Sequence, residues 1–264
     1  RPCSTTATAA CAAMARTTPH PEPMTAAALA SAVARTDGRP LLVGYSGGLD
    51  STVLLHLLAA DPQVRHAGLR ALHVHHGLHA DADAWAAHCA ATCAGLGVPL
   101  EIVHVAVDRS SGLGVEGAAR EARHAAFAAN LREGEILALA HHRDDQAETF
   151  LLRALRGAGV DGLAAMRPWR AYASGWLWRP LLEVARADLL AHARAHRLGW
   201  IDDPGNDDPG FDRNVLRHHV LPVLQARWPH AAAALARSAA LSAEASDLLQ
   251  AGDDDALAAI RRAP

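Results

Sequence analysis

Two short stretches of this chain carry residue types suited to chemistry on phosphates. The first is Ser46-Gly47-Gly48-Leu49-Asp50-Ser51, set between the apolar, β-compatible run Leu41–Tyr45 and the helix-compatible run Thr52–Leu55. A strand that passes into a helix through glycines leaves backbone N–H groups unpaired at the helix start, with the positive end of the helix dipole behind them. The spacing therefore predicts an anion site in which Ser46, Gly47, Gly48, Leu49, Asp50 and Ser51 surround a phosphate. Gly47 and Gly48 should allow close backbone approach and dihedrals that other residues avoid. No Lys follows the glycines, so the Walker pattern is absent. The competing reading is a tight turn that binds nothing. The full hexapeptide in this setting, more than the glycine pair alone, favours phosphate.

The second stretch is His141-His142-Arg143-Asp144-Asp145-Gln146-Ala147-Glu148-Thr149. Asp145 and Glu148 are three apart, so a helix puts both carboxylates on one face. Paired carboxylates opposite a phosphate loop suit Mg²⁺ or an ammonium substrate. Asp144 is assigned to capping the helix and meeting its dipole. His142 is placed as a nucleotide contact, although a strand-end histidine also suits a purely hydrogen-bonded role.

The elements that must position these groups follow from the apolar rhythm. Strands are expected at 41–45, 69–75, 100–107 and 135–140, and helices at 24–35, 51–60, 82–95, 116–130 and 144–156, with a Gly/Ser loop at 108–115. Alternation of this kind predicts right-handed βαβ units and an α/β fold, an open, mostly parallel sheet with helices on both faces, Rossmann-like. Short continuous apolar strands fit a sheet covered on both sides. Ligands in such sheets sit beyond the carboxyl ends of the strands. Three of those ends carry polar clusters, Ser46–Ser51, His75–His79 and His141–Glu148. Later, 176–182 reads as a fifth strand, 184–197 as a helix, 202–206 as a loop, 211–227 as a helix interrupted near Pro222, and 230–250 as an Ala-rich helix. The division expected is an extension without fixed structure over 1–23, a catalytic domain over 24–205 and a small helical segment over 206–264.

Composition narrows the setting. The 264 residues include no Lys, aromatics are 4%, and the formal charge is −3. The balance is uneven, for residues 153–237 hold 12 Arg against 8 acids, a modest footprint for a polyanion. Cys3, Cys11, Cys89 and Cys93 form no Cys-x-x-Cys pair, so neither a zinc site nor a disulfide framework is suggested, and a reducing, cytoplasmic setting fits. No apolar run approaches the roughly 20 residues of a membrane span, and no membrane partner is expected. The segment before Met24 lacks the apolar core of a secretory signal.

SGGLDS resembles the pyrophosphate loop of the N-type ATP pyrophosphatases, the PP-loop enzymes that split ATP into AMP and pyrophosphate to adenylate a substrate. With HVHHGLHADAD (73–83), VEGAAREARHAAF (115–127), LAHHRDDQAETFLLRALRGAGVDGLAAM (139–166), RPLLEVARADL (179–189) and DDPGNDDPGFDRNVLRHHVLP (202–222) in order, residues 40–230 resemble the tRNA(Ile)-lysidine synthetases. The resemblance implies a reaction in which ATP adenylates an anticodon cytidine of an isoleucine tRNA and the ε-amine of free L-lysine displaces AMP. It also implies residue roles. Ser46–Ser51 and His142 would hold ATP, Asp50 would position Mg²⁺ and pyrophosphate, and Asp145 and Glu148 would receive the lysine. Arg120, Arg123, Arg213 and Arg217 match family arginines that meet developing phosphoryl charge, with surface ion pairs as the alternative role, weightiest for Arg123. His124 stands where the family usually has an aromatic residue, and the chain ends before the C-terminal domains many members carry. Assembly is left open, a homodimer included. A PP-loop tRNA 2-thiolase is disfavoured because Cys89 and Cys93 are expected on a helix away from the strand mouths. A non-catalytic tRNA- or nucleotide-binding module would show no tRNA-dependent ATP–pyrophosphate exchange.

Overall fold

The structure of the protein, a computed structural model, describes residues 29, 32–108, 110, 112 and 114–262, with side chains as far as residue 253. The expected extension over 1–23, with Cys3 and Cys11, lies outside the described residues. Four parallel strands form first: β1 (Leu41–Gly44), β2 (Leu69–His75), β3 (Leu100–His104) and β4 (Ile136–Ala138). A hairpin of β5 (Trp169–Tyr172) and β6 (Gly175–Trp178) completes a six-stranded sheet in the order β3-β2-β1-β4-β6-β5. β6 runs parallel to β4, and β5 is the one antiparallel strand among the described residues.

The chain winds outward from β1 through β2 to β3 and then returns to lay β4 on the other side of β1. A sheet whose order reverses in this way opens a crevice at the carboxyl ends of the two strands flanking the reversal. Here those strands are β1 and β4, and the two phosphate-directed motifs leave from their ends.

Alternate strand residues enter two separate cores, as pleating demands. Leu41, Val43 and Tyr45 join one with Val53, Leu54 and Leu58 from α1 (Leu49–Ala60), and Leu189 from α7 (Arg186–Ala195). Leu42, Leu72, Leu137 and Leu177 join the other with Ala126 and Phe127 of α4 (Gly114–Asn130). Helices α1 and α2 (Pro62–Ala67) connect β1 to β2, and α3 (Ala82–Leu96) connects β2 to β3. Behind the sheet, Arg70 clamps Glu135 through both carboxylate oxygens, at 2.7 Å each.

After β4 come α5 (Arg143–Leu155), α6 (Val160–Leu163), the hairpin and α7, then α8 (Asp212–Val215), α9 (Leu221–Arg227) and α10 (Ala231–Arg262). The single helix expected over 211–227 is in fact α8 and α9 joined by a π-helical turn, Leu216–Val220. Pro222 has no N–H for the carbonyl four residues before it, so the ladder widens just ahead of it. The fifth strand expected at 176–182 stops at Trp178, and its partner β5 was not expected at all. The turn between them is Ala173-Ser174, with Ala173 at φ 46° where a hairpin signal would show glycine. A small third core, Ala147 of α5 with Leu221 and Ala232, ties the last helices to the helix that bears the paired carboxylates. Among the described residues no helix is long and apolar enough to cross a membrane.

Candidate active site

The loop after β1 has the strand-to-helix form its glycines imply. Gly47 is left-handed at φ 84°, and a Cβ there would stand 2.5 Å from Ile201 Cδ1 and 2.8 Å from Cys89 Sγ. Gly48 differs from expectation. Its φ is −71°, an ordinary value, and it serves as the N-cap of α1 without a side-chain cap. The first N–H groups of α1 therefore face outward with no internal acceptor. Hydroxyls hold the loop in shape: Ser46 Oγ and Ser51 Oγ are 3.0 Å apart, Ser51 donates to the Gly48 carbonyl at 3.1 Å, and Thr52 donates to the Gly47 carbonyl at 3.2 Å. Ile201 N–H donates to the Gly47 carbonyl at 2.9 Å, so the segment after α7 braces the same turn.

Across the crevice, His142 caps α5. Its N–H donates to Asp145 Oδ2 at 3.0 Å, and its Nδ1 takes a long 3.4 Å bond from Asp145 N–H, which completes a capping box. Capping falls to His142 and Asp145, not to Asp144. The Asp144 carboxylate instead accepts from Arg186 N–H at 2.9 Å. His142 Nε2 lies 3.6 Å from Asp50 Oδ2 and 3.4 Å from Asp145 Oδ2, so one imidazole joins the phosphate loop to the acidic helix. Burial alone would lower the His142 pKa, but the carboxylates of Asp145, Asp50 and Asp144 outweigh it and raise it. Asp50 Oδ1 and His142 Nε2 are buried without a hydrogen-bond partner among the described residues.

Asp145 and Glu148 share one face and are nearly sealed, at 8% and 1% exposure. Both are met by arginines from the far segment. Arg213 reaches Glu148 at 2.6 Å and Asp145 at 2.8 Å, and Arg217 reaches Glu148 at 2.7 and 3.1 Å and Asp145 at 3.2 Å. The four groups carry zero net charge between them. Burial would raise the Asp145 carboxyl, yet His142, Arg213 and His141 hold it down at about 2. Both guanidiniums are pushed up, since the carboxylates outweigh their own burial. Arg217 belongs to the π-helical turn, an irregularity that often marks functional positions.

Of the residues singled out from sequence, Asp50, His142, Asp145, Glu148, Arg213 and Arg217 form one contiguous cluster beside the loop. Arg120 and Arg123, exposed on α4, make no hydrogen bond or ion pair to the cluster and have no carboxylate partner among the described residues, but the Arg213 charge reaches both and helps lower them. At the third polar strand end the His76 pKa falls to about 4 by burial and by Arg123, His73 and His75. A further expectation is corrected. Cys89 is not remote from the strand mouths. It lies under Gly47, fully buried and 3.5 Å from His73 Nδ1, because α3 packs over the end of β2. Burial pushes its thiol up to about 12, so it is packing material with little thiolate. Cys93 is likewise buried, with its thiol raised to about 11.

Sequence reasoning missed Ile201, whose apolar side chain gave no sign of bracing a phosphate loop. It also missed Gln146, which clamps Met166 through both backbone groups at 2.9 Å and so fixes the loop after α6 to α5. Among the described residues no three His, Cys, Asp or Glu side chains are grouped to hold a metal ion.

A family model described as a PP-loop domain matches residues 21–224. The tRNA(Ile)-lysidine synthase of Xanthomonas axonopodis pv. citri is 74% identical over 210 residues, which cover 80% of this chain and 48% of that protein. The tRNA(Ile)-lysidine synthase of Pseudomonas aeruginosa is 57% identical over 209 residues, 78% of this chain and 47% of that one. The chain thus spans about half the length of the curated relatives it matches. Among solved structures, the U34-tRNA thiolase NcsA of Methanococcus maripaludis superposes with a TM-score of 0.62 at 16% identity, covering 82% of this chain and 76% of that chain. At that identity the likeness concerns the fold alone.

Proposed function

The chain belongs to the PP-loop domain family, and from that premise we propose that it is the ATP-using part of a tRNA(Ile)-lysidine synthase. In this reading the N–H groups of Gly48–Ser51 and the hydroxyls of Ser46 and Ser51 bind the ATP phosphates. Asp50 holds Mg²⁺, whose contribution is to screen charge on the phosphates. The orphaned Asp50 Oδ1 fits that cation. An anticodon cytidine takes the adenylyl group as pyrophosphate leaves, and the lysine ε-amine then displaces AMP at the ring carbon.

The observation that carries the reading is the 3.6 Å approach of His142 to Asp50, which sets Asp145 and Glu148 at the mouth of the phosphate loop. Carboxylates so placed select a cationic amine. They are balanced by Arg213 and Arg217, so lysine enters a site that already holds two cations. A triphosphate beside those guanidiniums gives them an anion to turn to and releases carboxylate oxygens for the lysine ammonium.

The test is to incubate the chain with ATP, labelled lysine and an isoleucine tRNA transcript, and to digest the RNA for lysine-modified cytidine. Label in cytidine that depends on ATP and disappears in Asp50→Asn and Glu148→Gln is the expected result. ATP consumption on tRNA with no lysine in the RNA would overturn it, and sulfur in the RNA would assign the chain to thiolation.

A further inference from the structure

A second group of cations lies at the same mouth of the sheet, on the side away from β2. Arg179 follows β6 and is 5% exposed. Its donors go to neutral acceptors, Nε to His141 Nδ1 at 3.2 Å and a terminal nitrogen to the Arg167 carbonyl at 2.7 Å, and it has no carboxylate partner among the described residues. Buried arginine without a counter-ion is costly to keep. Its neighbours add to the charge. Arg170 pairs in register with Leu177, so Arg170, Leu177 and Arg179 share the face of the hairpin that turns to α4. Tyr172 fastens that face to α4, donating to the His124 carbonyl at 2.7 Å with His124 Nδ1 at 3.1 Å from the same hydroxyl. Arg123 adjoins His124 and Arg120 lies one turn before it, and both are exposed, as is Arg170.

We infer that Arg179, Arg170 and Arg120 form a second anion site, and that its ligand is a backbone phosphate of the RNA substrate next to the base being modified. The inference rests on the tRNA reading above. β6 is two strands from β1, roughly 10 Å at the usual strand spacing. That sets the group beside the phosphates held at Ser46–Ser51, where the strand of an RNA whose base enters the crevice would run. The fields agree with the geometry. Burial, then Arg170, Arg120 and Arg153, lower Arg179 to about 10. Burial, then Arg120, Arg123 and Arg170, lower His124 to about 4. Glu116 is the acid whose charge reaches Arg120 and Arg123, and it does not cancel the set.

The experiment measures binding of an isoleucine tRNA transcript across a salt series, with an ATP analogue and pyrophosphate titrated separately. The proteins are the parent chain, Arg170→Gln and Arg179→Met. Arg170→Gln should weaken RNA binding about five- to tenfold and reduce the salt slope by about one, with analogue and pyrophosphate affinities within about twofold of the parent. Arg179→Met should weaken RNA binding at least as much while melting no lower than the parent, since an uncompensated buried cation has been removed. RNA affinity unchanged in both variants would overturn the site and leave the tRNA reading standing. Loss of pyrophosphate affinity instead would reassign the site to the leaving group. An Arg179→Met protein that melts lower and binds RNA normally would make Arg179 structural. A parent chain that binds the analogue and no RNA would refute the tRNA reading itself, and this site with it.

Discussion

Removing both Arg213 and Arg217 tests the four-charge cluster most directly. Together they make five contacts of 3.2 Å or less to Asp145 and Glu148. With both changed to Ala, Glu148 at 1% exposure and Asp145 at 8% keep their charges without those cations, only His142 and His141 remaining beside Asp145. Leaving a buried charge uncompensated costs about 3–5 kcal/mol. Either single variant should cost about half of that, because the remaining guanidinium still touches both acids. The reciprocal change, Glu148→Gln, should cost less. Each arginine side chain is 25% exposed and can turn to water, so about 1–2 kcal/mol is expected. For a chain of this size 1 kcal/mol moves the melting temperature by about 2–4 °C, so the double variant should melt about 6–20 °C lower and Glu148→Gln about 2–8 °C lower. Differential scanning calorimetry at neutral pH reads both. A double variant that melts within 2 °C of the parent, or above Glu148→Gln, would show that the acids are not stabilised by these arginines. The arrangement described for the site would then be wrong.

The two motifs were legible because each is local. The loop needs only an apolar strand, a left-handed glycine at 47 and a helix start, all within eleven residues of one another. The acidic pair needs only helical spacing from 145 to 148. The parallel sheet followed from strands and helices alternating at βαβ length, and its reversal at β1 explains why two distant motifs share one crevice. What escaped was decided by long-range packing. Arg213 and Arg217 lie 65 to 72 residues from the acids they balance, and no periodicity in 211–227 says which helix they will meet. Cys89 was assigned to the correct helix, but the pattern of α3 does not reveal that its buried face closes over Gly47. The β5–β6 hairpin was hidden because Ala173 and Ser174 turn it without glycine, and with it went the partnership of Arg170 and Arg179.

Two further predictions separate backbone from charge. Gly47→Ala should destabilise by about 2 kcal/mol, from left-handed strain and contact with Ile201 and Cys89, and should weaken ATP-analogue binding at least tenfold. Gly48→Ala, at an ordinary φ, should cost under about 1 kcal/mol; equal effects of the two in a melting and titration pair would refute the distinction. The pH dependence of stability should carry opposite signs at its two ends. The Asp145 carboxyl is depressed from 3.8 to about 2, so its stabilisation, about 2 kcal/mol by linkage, is fully present above pH 4 and is lost as the pH falls through 2. His142 is shifted the other way, so its contribution is complete below the unfolded value of 6.5 and is lost as the pH rises through the elevated native one. Melting temperatures of the parent should therefore fall toward both extremes, while Asp145→Asn should be flatter than the parent between pH 4 and 2. It should also lose part of the alkaline decline, because the carboxylate that most raises the imidazole is gone. An Asp145→Asn profile parallel to the parent at both ends would mean that the acid and the imidazole do not titrate against each other, and that the link between the phosphate loop and α5 is not electrostatic.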